Sequence, residues 1–333
     1  MSESGEWTIC AGGVTAPRGF MASTILAGIK PGRKRHDMVL LVSDTPATAA
    51  GVFTTNRIKA APVRLCQQHL AGKQARAVII NAGNANACTG AQGMADAENT
   101  SLLVAAALGI PNETVLVCST GTIGIQMPMH LVEAAIPRLA TSLNIAGGAA
   151  AASAILTTDT VEKQVALRLK IDGATVTVGG MCKGSGMIAP AMATMLAFIT
   201  TDAAVAPEAL QRAIRAAADL SFNCISVDGD MSTNDTVLCL ANGLAGNKTL
   251  DEQHPAWPVF QQALDALMLD LAQAIVRDGE GATRFVTVRV QGAMTPCDAH
   301  RAARAIVNSP LVKTSWYGGD PNWGRVIAAL GYS

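Results

Sequence analysis

The sequence predicts an α/β (α+β) fold of layered sheets covered by helices, and three observations predict it. Short β-branched segments recur along the 333-residue chain, and amphipathic helical patterns sit between and around them. The apolar half of the composition, 50% of the residues, holds only six Phe, four Trp and two Tyr. A core of Ala, Val, Leu and Ile favours thin, closely packed layers. Strict βαβ alternation is absent.

In chain order, strands are expected over 38–42, 77–81, 115–118, 164–171, 175–178, 195–200, 223–227, 236–240 and 285–290. The cleanest alternates Val165, Leu167, Leu169 and Ile171 with Ala166, Arg168 and Lys170, the period of a strand buried on one face. One helix opens at Pro207, whose fixed φ suits the first helical position, and runs through Leu210, Ile214 and Ala217. Another carries Trp257, Phe260, Leu264, Leu267, Leu271 and Ile275 at spacings of 3, 4, 3, 4 and 4, a single apolar stripe. The stretch 140–154, with Asn144, Gly147, Gly148 and a small-residue run, reads as a soft spot between two denser halves.

Charge and length remove several classes. The 25 basic side chains balance 25 acidic ones, which takes away the electrostatic drive of a nucleic-acid or anionic-membrane binder. No apolar run approaches the roughly 18 residues of a membrane helix. Glu3, Glu6, Gly12 and Gly13 stand where a signal peptide would be apolar, so the cytoplasm is the expected location. Eight cysteines without a CxxC pair suit reduced thiols, not a disulfide or zinc framework.

Four stretches combine glycine with small polar residues where strands end or begin. Ser119-Thr120-Gly121-Thr122-Ile123-Gly124 is a tight strand exit that can also aim N–H groups or a hydroxyl at an anionic transition state. Thr157-Thr158-Asp159-Thr160 sets hydroxyls around a carboxylate, an arrangement that ordinarily bonds its own backbone as a turn or cap. In 183–196 a glycine-rich turn and Pro190 deliver Thr194 to the start of an apolar strand, with only Ala193 before it; the P-loop spacing is missing. In 226–235, Asp228, Asp230 and Ser232 imitate the start of an EF-hand, but the glycine and the closing ligand fall at the wrong places, so a polar hairpin lining a site is expected. Glu280, between Gly279 and Gly281, reads as a solvated turn or as a grip for a substrate ammonium.

Thr194 holds the sharpest chemical alternative. A threonine hydroxyl is a weak nucleophile that needs a base. Cleavage of the Ala193–Thr194 peptide would give Thr194 a free α-amine with a reference pKa of roughly 7.7–8.0, so one residue would supply nucleophile and base. The same hydroxyl could make the cut by attacking the Ala193 carbonyl, forming an ester that water opens.

KGSGMIAPAMATML at 183–196, STGTIG at 119–124, TTDT at 157–160, SFNCISVDGDMSTNDT at 221–236, DGEGAT at 278–283 and VNSPLVKTSWYGGDPNWGR at 307–325 together resemble the ornithine acetyltransferase family. These are the bifunctional glutamate N-acetyltransferases of arginine biosynthesis. The resemblance runs in order over nearly the whole chain and includes NAGNANACTG at 81–90.

The resemblance implies a precursor that cuts itself between Ala193 and Thr194. The α chain, 1–193, and the β chain, 194–333, would stay folded together and assemble as a dimer of αβ heterodimers. By matching motif positions, Thr194 is the nucleophile, Thr120 and Gly121 form the oxyanion hole, and Thr157, Lys183, Thr194 and Glu280 contact substrate. The implied fold is a helix-covered pair of sheets, a sandwich of the DmpA and ornithine acetyltransferase type. The implied reaction is ping-pong acyl transfer from N-acetylornithine through an acetyl-threonine to glutamate, with no metal and no cofactor. Some members also accept acetyl-CoA as donor.

The family continues several tens of residues past 320–325, through a segment that also contacts substrate. Without it, binding is expected to weaken and a sheet edge or face to be uncovered. Two other readings stay open at this point. One is a self-cleaving threonine amidase or aminopeptidase, in which water replaces glutamate. The other is a truncated homologue that folds or binds without turning over.

Overall fold

The computed structural model describes residues 7–189 and 195–333. Ala193 and Thr194, the expected cut and nucleophile, lie outside the described residues. Strands β1 (Trp7–Ile9), β2 (Phe20–Ile25) and β3 (Met38–Phe53) are followed by helix α1 (Ala61–His69), β4 (Gln74–Asn84) and α2 (Gly90–Leu108). Next come β5 (Val115–Thr122), α3 (Met129–Thr141), α4 (Gly148–Ala154), β6 (Lys163–Ile171) and β7 (Ala174–Lys183). The chain continues through β8 (Leu196–Thr201), α5 (Pro207–Leu220), β9 (Thr236–Ala241) and α6 (Trp257–Arg277), and closes with α7 (Pro296–Asn308), α8 (Pro310–Gly318) and α9 (Trp323–Gly331).

The strands form one continuous ladder in the order β1-β6-β7-β8-β9-β3-β4-β5, with β2 also on β3. The long strand β3 folds that ladder into two layers. Its first half pairs with β2 and β4, its second half pairs with β9, and the register with β4 shifts between Val42 and Ala47. A bulge of this kind bends a strand and lets it pass from one sheet to another.

Period-two alternation then assigns each side chain to a layer. Val39, Leu41, Val78, Ile80, Leu116 and Cys118 meet Met181, Leu196, Phe198, Leu238 and Leu240 between the sheets. Their neighbours Met38, Leu40, Ile79, Val115 and Val117 point outward to α2 and α3. On the other face, Val176, Val178, Ala197, Ile199, Val237 and Cys239 pack against α5 and α6. The result is a helix–sheet–sheet–helix sandwich. Small side chains make this spacing possible, as the composition implied.

Helix α6 is the one described helix long and apolar enough to cross a membrane, which corrects the expectation that no such stretch exists. Its stripe of Phe260, Leu264, Leu267, Leu271 and Ile275 is buried against the second sheet, so it serves as a core helix here. Three other expectations fail. Residues 223–227 form no strand: Phe222–Cys224 is a single 3-10 turn, and the Val227, Asp228 and Gly229 amides converge on the one Ile188 carbonyl instead of forming a ladder. The soft spot at 140–154 contains α4, whose Ala151, Ala152 and Ala154 are buried in the layer between the sheets.

Residues 285–290 are also irregular, although their sequence alternates like a strand. No strand pairs with them among the described residues, and Phe285 stays 40% exposed with the Arg277 guanidinium 4.4 Å over its ring. Beyond them α7, α8 and α9 enclose a small separate cluster of Ile306, Val312 and Ala329.

Candidate active site

The parallel pairing of β4 with β5 sets Asn81, Ala82, Gly83 and Asn84 beside Ser119, Thr120, Gly121 and Thr122, residue for residue. Gly121 has φ +138°, and a β-carbon there would collide with the carbonyl carbon of Gly83. Only glycine fits. Asparagine side chains make this double strand end rigid. Asn81 Nδ2 donates to Ser119 Oγ at 2.7 Å while its Oδ1 accepts from the Gly83 and Asn84 amides, and Asn84 Nδ2 donates to the Ile125 and Gln126 carbonyls at 3.0 and 3.1 Å. Thr120 is buried at this end and Gly121 is exposed. The expected strand exit is thus the last part of the strand itself.

The segment leading into β9 joins that end to the start of β8. Asn234 Nδ2 donates to the carbonyls of Ala85 and Ser119 at 2.6 and 2.8 Å. The next residue, Asp235, accepts from the Met195 amide at 3.0 Å, and the Thr236 amide donates to the Met195 carbonyl. Leu196 then pairs with Thr236 on one side and Lys183 on the other. Met195, the residue after Thr194, is therefore anchored where β7, β8 and β9 meet.

Lys183 is buried at 2% exposure. Burial pushes its ammonium pKa down, and the charges of Asp159 and Asp235 oppose that shift. Asp159 shows the reverse balance. Burial pushes its carboxyl up, but Lys183, Lys163 and hydrogen bonds from Lys163 and Gly184 outweigh it and hold the group at about 2. Its oxygens accept from Lys163 Nζ at 2.8 Å, the Gly184 amide at 2.7 Å and the Thr157 amide at 3.0 Å. The turn formed by TTDT thus ties Thr157 and Gly184, the residue after Lys183, to one carboxylate.

Glu280 reaches the same region from the end of α6. Its amide donates to the Ser185 carbonyl at 2.9 Å, and its carboxyl lies where a side chain on Gly186 would be. It is exposed. Glu280 also borders a cavity of about 590 Å³ formed with Cys224, Val276, Phe285, Lys313 and Trp316. Thr120, Gly121, Thr157 and Lys183 do not line that cavity. Its mostly apolar wall comes from the irregular 282–290 stretch and the last helices.

Three features were hidden from the sequence reading. Arg33 donates to the carbonyls of Ala82, Ala154 and Leu156 and so ties the end of β4 to the approach of Thr157. Asp228 accepts from the Met187 and Ile188 amides at 2.5 and 2.8 Å and holds the loop before residue 190; the 226–235 stretch is a brace for that loop and not a hairpin. Lys163 forms ion pairs with Asp159 and Asp278. Its partner 115 residues away carries no sequence signal. No group of His, Cys, Asp and Glu able to hold a metal ion occurs among the described residues.

Known proteins resemble this chain over most of its length. The sequence model of the ArgJ family matches residues 21–333. The arginine biosynthesis bifunctional protein ArgJ of Symbiobacterium thermophilum is 56% identical over 329 residues, 98% of this chain and 81% of that protein. A solved ArgJ structure from Bacillus halodurans is 40% identical with a TM-score of 0.53, covering 58% of this chain and all of that one. The ornithine acetyltransferase of Mycobacterium tuberculosis, solved with ornithine, is 44% identical with a TM-score of 0.51, covering 55% of this chain and 98% of that one.

Proposed function

The chain belongs to the ArgJ family, and from that premise we propose that it moves the acetyl group of N-acetylornithine to glutamate, giving ornithine and N-acetylglutamate in arginine biosynthesis. The enzyme is an acetyltransferase of that pathway. In the proposal, Thr194 first attacks the Ala193 carbonyl, and hydrolysis of the resulting ester leaves chains 1–193 and 194–333. The freed Thr194 amine then serves as base for its own hydroxyl, which takes the acetyl group. Thr120 and Gly121 stabilise the oxyanion of each tetrahedral intermediate. Thr157, Lys183 and Glu280 hold the amino acid, with Glu280 meeting its ammonium.

One observation carries this assignment. Met195, a single peptide bond after Thr194, is anchored by Asp235 beside Lys183, while the preceding Asn234 grips the Ser119 carbonyl of the strand end that bears Thr120 and Gly121. These bonds support the reading, because they tie Met195 to the strand ends that carry the proposed oxyanion donors and substrate lysine.

A denaturing intact-mass spectrum tests the reading. Two fragments meeting at Ala193 and Thr194 are expected, with an acetyl increment on the second after N-acetylornithine is added. Thr194→Ala should leave one uncut, unacetylated chain, and a cut chain would overturn the nucleophile. Thr120→Ala should slow acylation on the order of 100-fold with a smaller change in KM. Acetate release without glutamate would favour an amidase, and acetyl-CoA in place of N-acetylornithine tests the second donor. Native mass spectrometry tests the expected dimer of αβ heterodimers.

A further inference from the structure

The residues proposed to hold the substrate sit on three segments that are far apart in sequence: 157–161, 183–186 and 278–280. We propose that Lys163, with Asp159 and Asp278, is a positioning clamp that fixes Thr157, Lys183 and Glu280 relative to one another for amino-acid binding. The inference rests on the substrate roles proposed above and adds a group that touches no substrate itself.

Lys163 is the first residue of β6, and its side chain is fully buried, as is that of Asp159. Its ammonium donates to Asp159 Oδ1 at 2.8 Å, to Asp278 Oδ2 at 2.5 Å and to the Val161 carbonyl at 3.2 Å. The remaining capacity of both carboxylates is spent on the three segments. Asp159 takes the Gly184 amide on one oxygen and the Thr157 amide on the other. Asp278 takes the Thr160 hydroxyl and amide. Its own carbonyl accepts from Ser185 Oγ at 2.6 Å, and the Ser185 carbonyl in turn accepts from the Glu280 amide.

Burying three charges is a poor way to add stability, because desolvation offsets much of the attraction. It is an effective way to set directions, because both carboxylates also accept from other segments, Asp159 from the Gly184 amide and Asp278 from Thr160. With its side chains shielded from solvent, the clamp allows little independent motion of the three segments. Misplacing a binding group by about 1 Å is enough to weaken a site severely.

Two variants of the full-length protein test the clamp. Asp278→Asn keeps an acceptor for Thr160 and removes the charge facing Lys163. Asp278→Glu keeps the charge but displaces it by one methylene. Both are expected to self-cleave, to raise KM for N-acetylornithine and glutamate about tenfold, and to lower kcat by less than that. Amide exchange should quicken at 157–161 and 184–186 and stay unchanged in β8 and β9.

Unchanged KM with unchanged exchange at those segments would overturn the clamp. So would exchange rising throughout the sheet with KM and kcat lost together, the signature of general destabilisation. Full recovery in Asp278→Glu would also overturn it, since charge and not position would then be what matters. If wild-type protein forms no acetyl-enzyme, the acetyl-transfer reading fails by itself, and the exchange comparison still decides the clamp.

Discussion

Asp235 carries the most unusual environment of any single residue near the site. It is fully buried, one oxygen accepts from the Met195 amide, and the other has no hydrogen-bond partner among the described residues. Burial pushes its carboxyl well above the usual range, against the pull of the Met195 amide and Lys183. A carboxyl raised in this way favours the native state fully below its unfolded pKa of about 3.9, and that contribution is lost as pH rises through the native value. Asp235→Asn keeps an acceptor for Met195 but cannot ionise. Its melting temperature relative to wild type should therefore climb from about pH 4 upward and level off once the wild-type carboxyl has ionised. A difference that stays constant with pH would show that Asp235 does not titrate as described. Asp159, held at about 2 by its lysines, should act in the opposite sense, its contribution fading only as the solution is acidified below about pH 4.

Secondary-structure elements show why an alternating pattern is necessary for a strand but not sufficient. Val165, Leu167, Leu169 and Ile171 form the buried face of β6 because β1 and β7 supply hydrogen bonds on either side. The segment 285–290 has a similar pattern and no such neighbour, so its amides should exchange rapidly while those of 165–171 are protected; slow exchange at both would mean that a partner strand pairs with 285–290 in solution. This separates what the sequence could reveal from what it could not. The two long helices, the strands of the sandwich and the small-residue packing follow from periodicity and composition. The segments of the candidate site could also be picked out, because glycine, hydroxyl and carboxylate clusters at strand ends are uncommon enough to single out. The partners of those clusters were not. Nothing about TTDT indicates that Asp159 meets Lys163 and Gly184, or that Asp278 closes the far side of the same lysine. Residues 223–227 were misread because Ile225 packs inward by itself, next to the preceding Phe222, without a ladder.

For the whole molecule, the decisive feature is that β7 and β8, adjacent in the ladder, flank residues 190–194 in the chain. Six consecutive pairs from Lys183–Leu196 to Val178–Thr201 join them, and β8 is bound on its other edge by β9. The Lys163–Asp278 pair spans the same point. Segments 1–193 and 194–333 expressed together should therefore assemble into a single particle, and copurification on a tag carried by one of them checks this. Failure of either to appear soluble with the other would mean that the uncut chain is needed to form the sandwich. A cut at that position would also change the molecularity of unfolding. An intact chain melts at a temperature independent of its concentration, whereas a cut one dissociates as it unfolds, so dilution should lower its melting point by mass action. Maturation would thus turn a unimolecular stability into one that depends on how much of the protein is present.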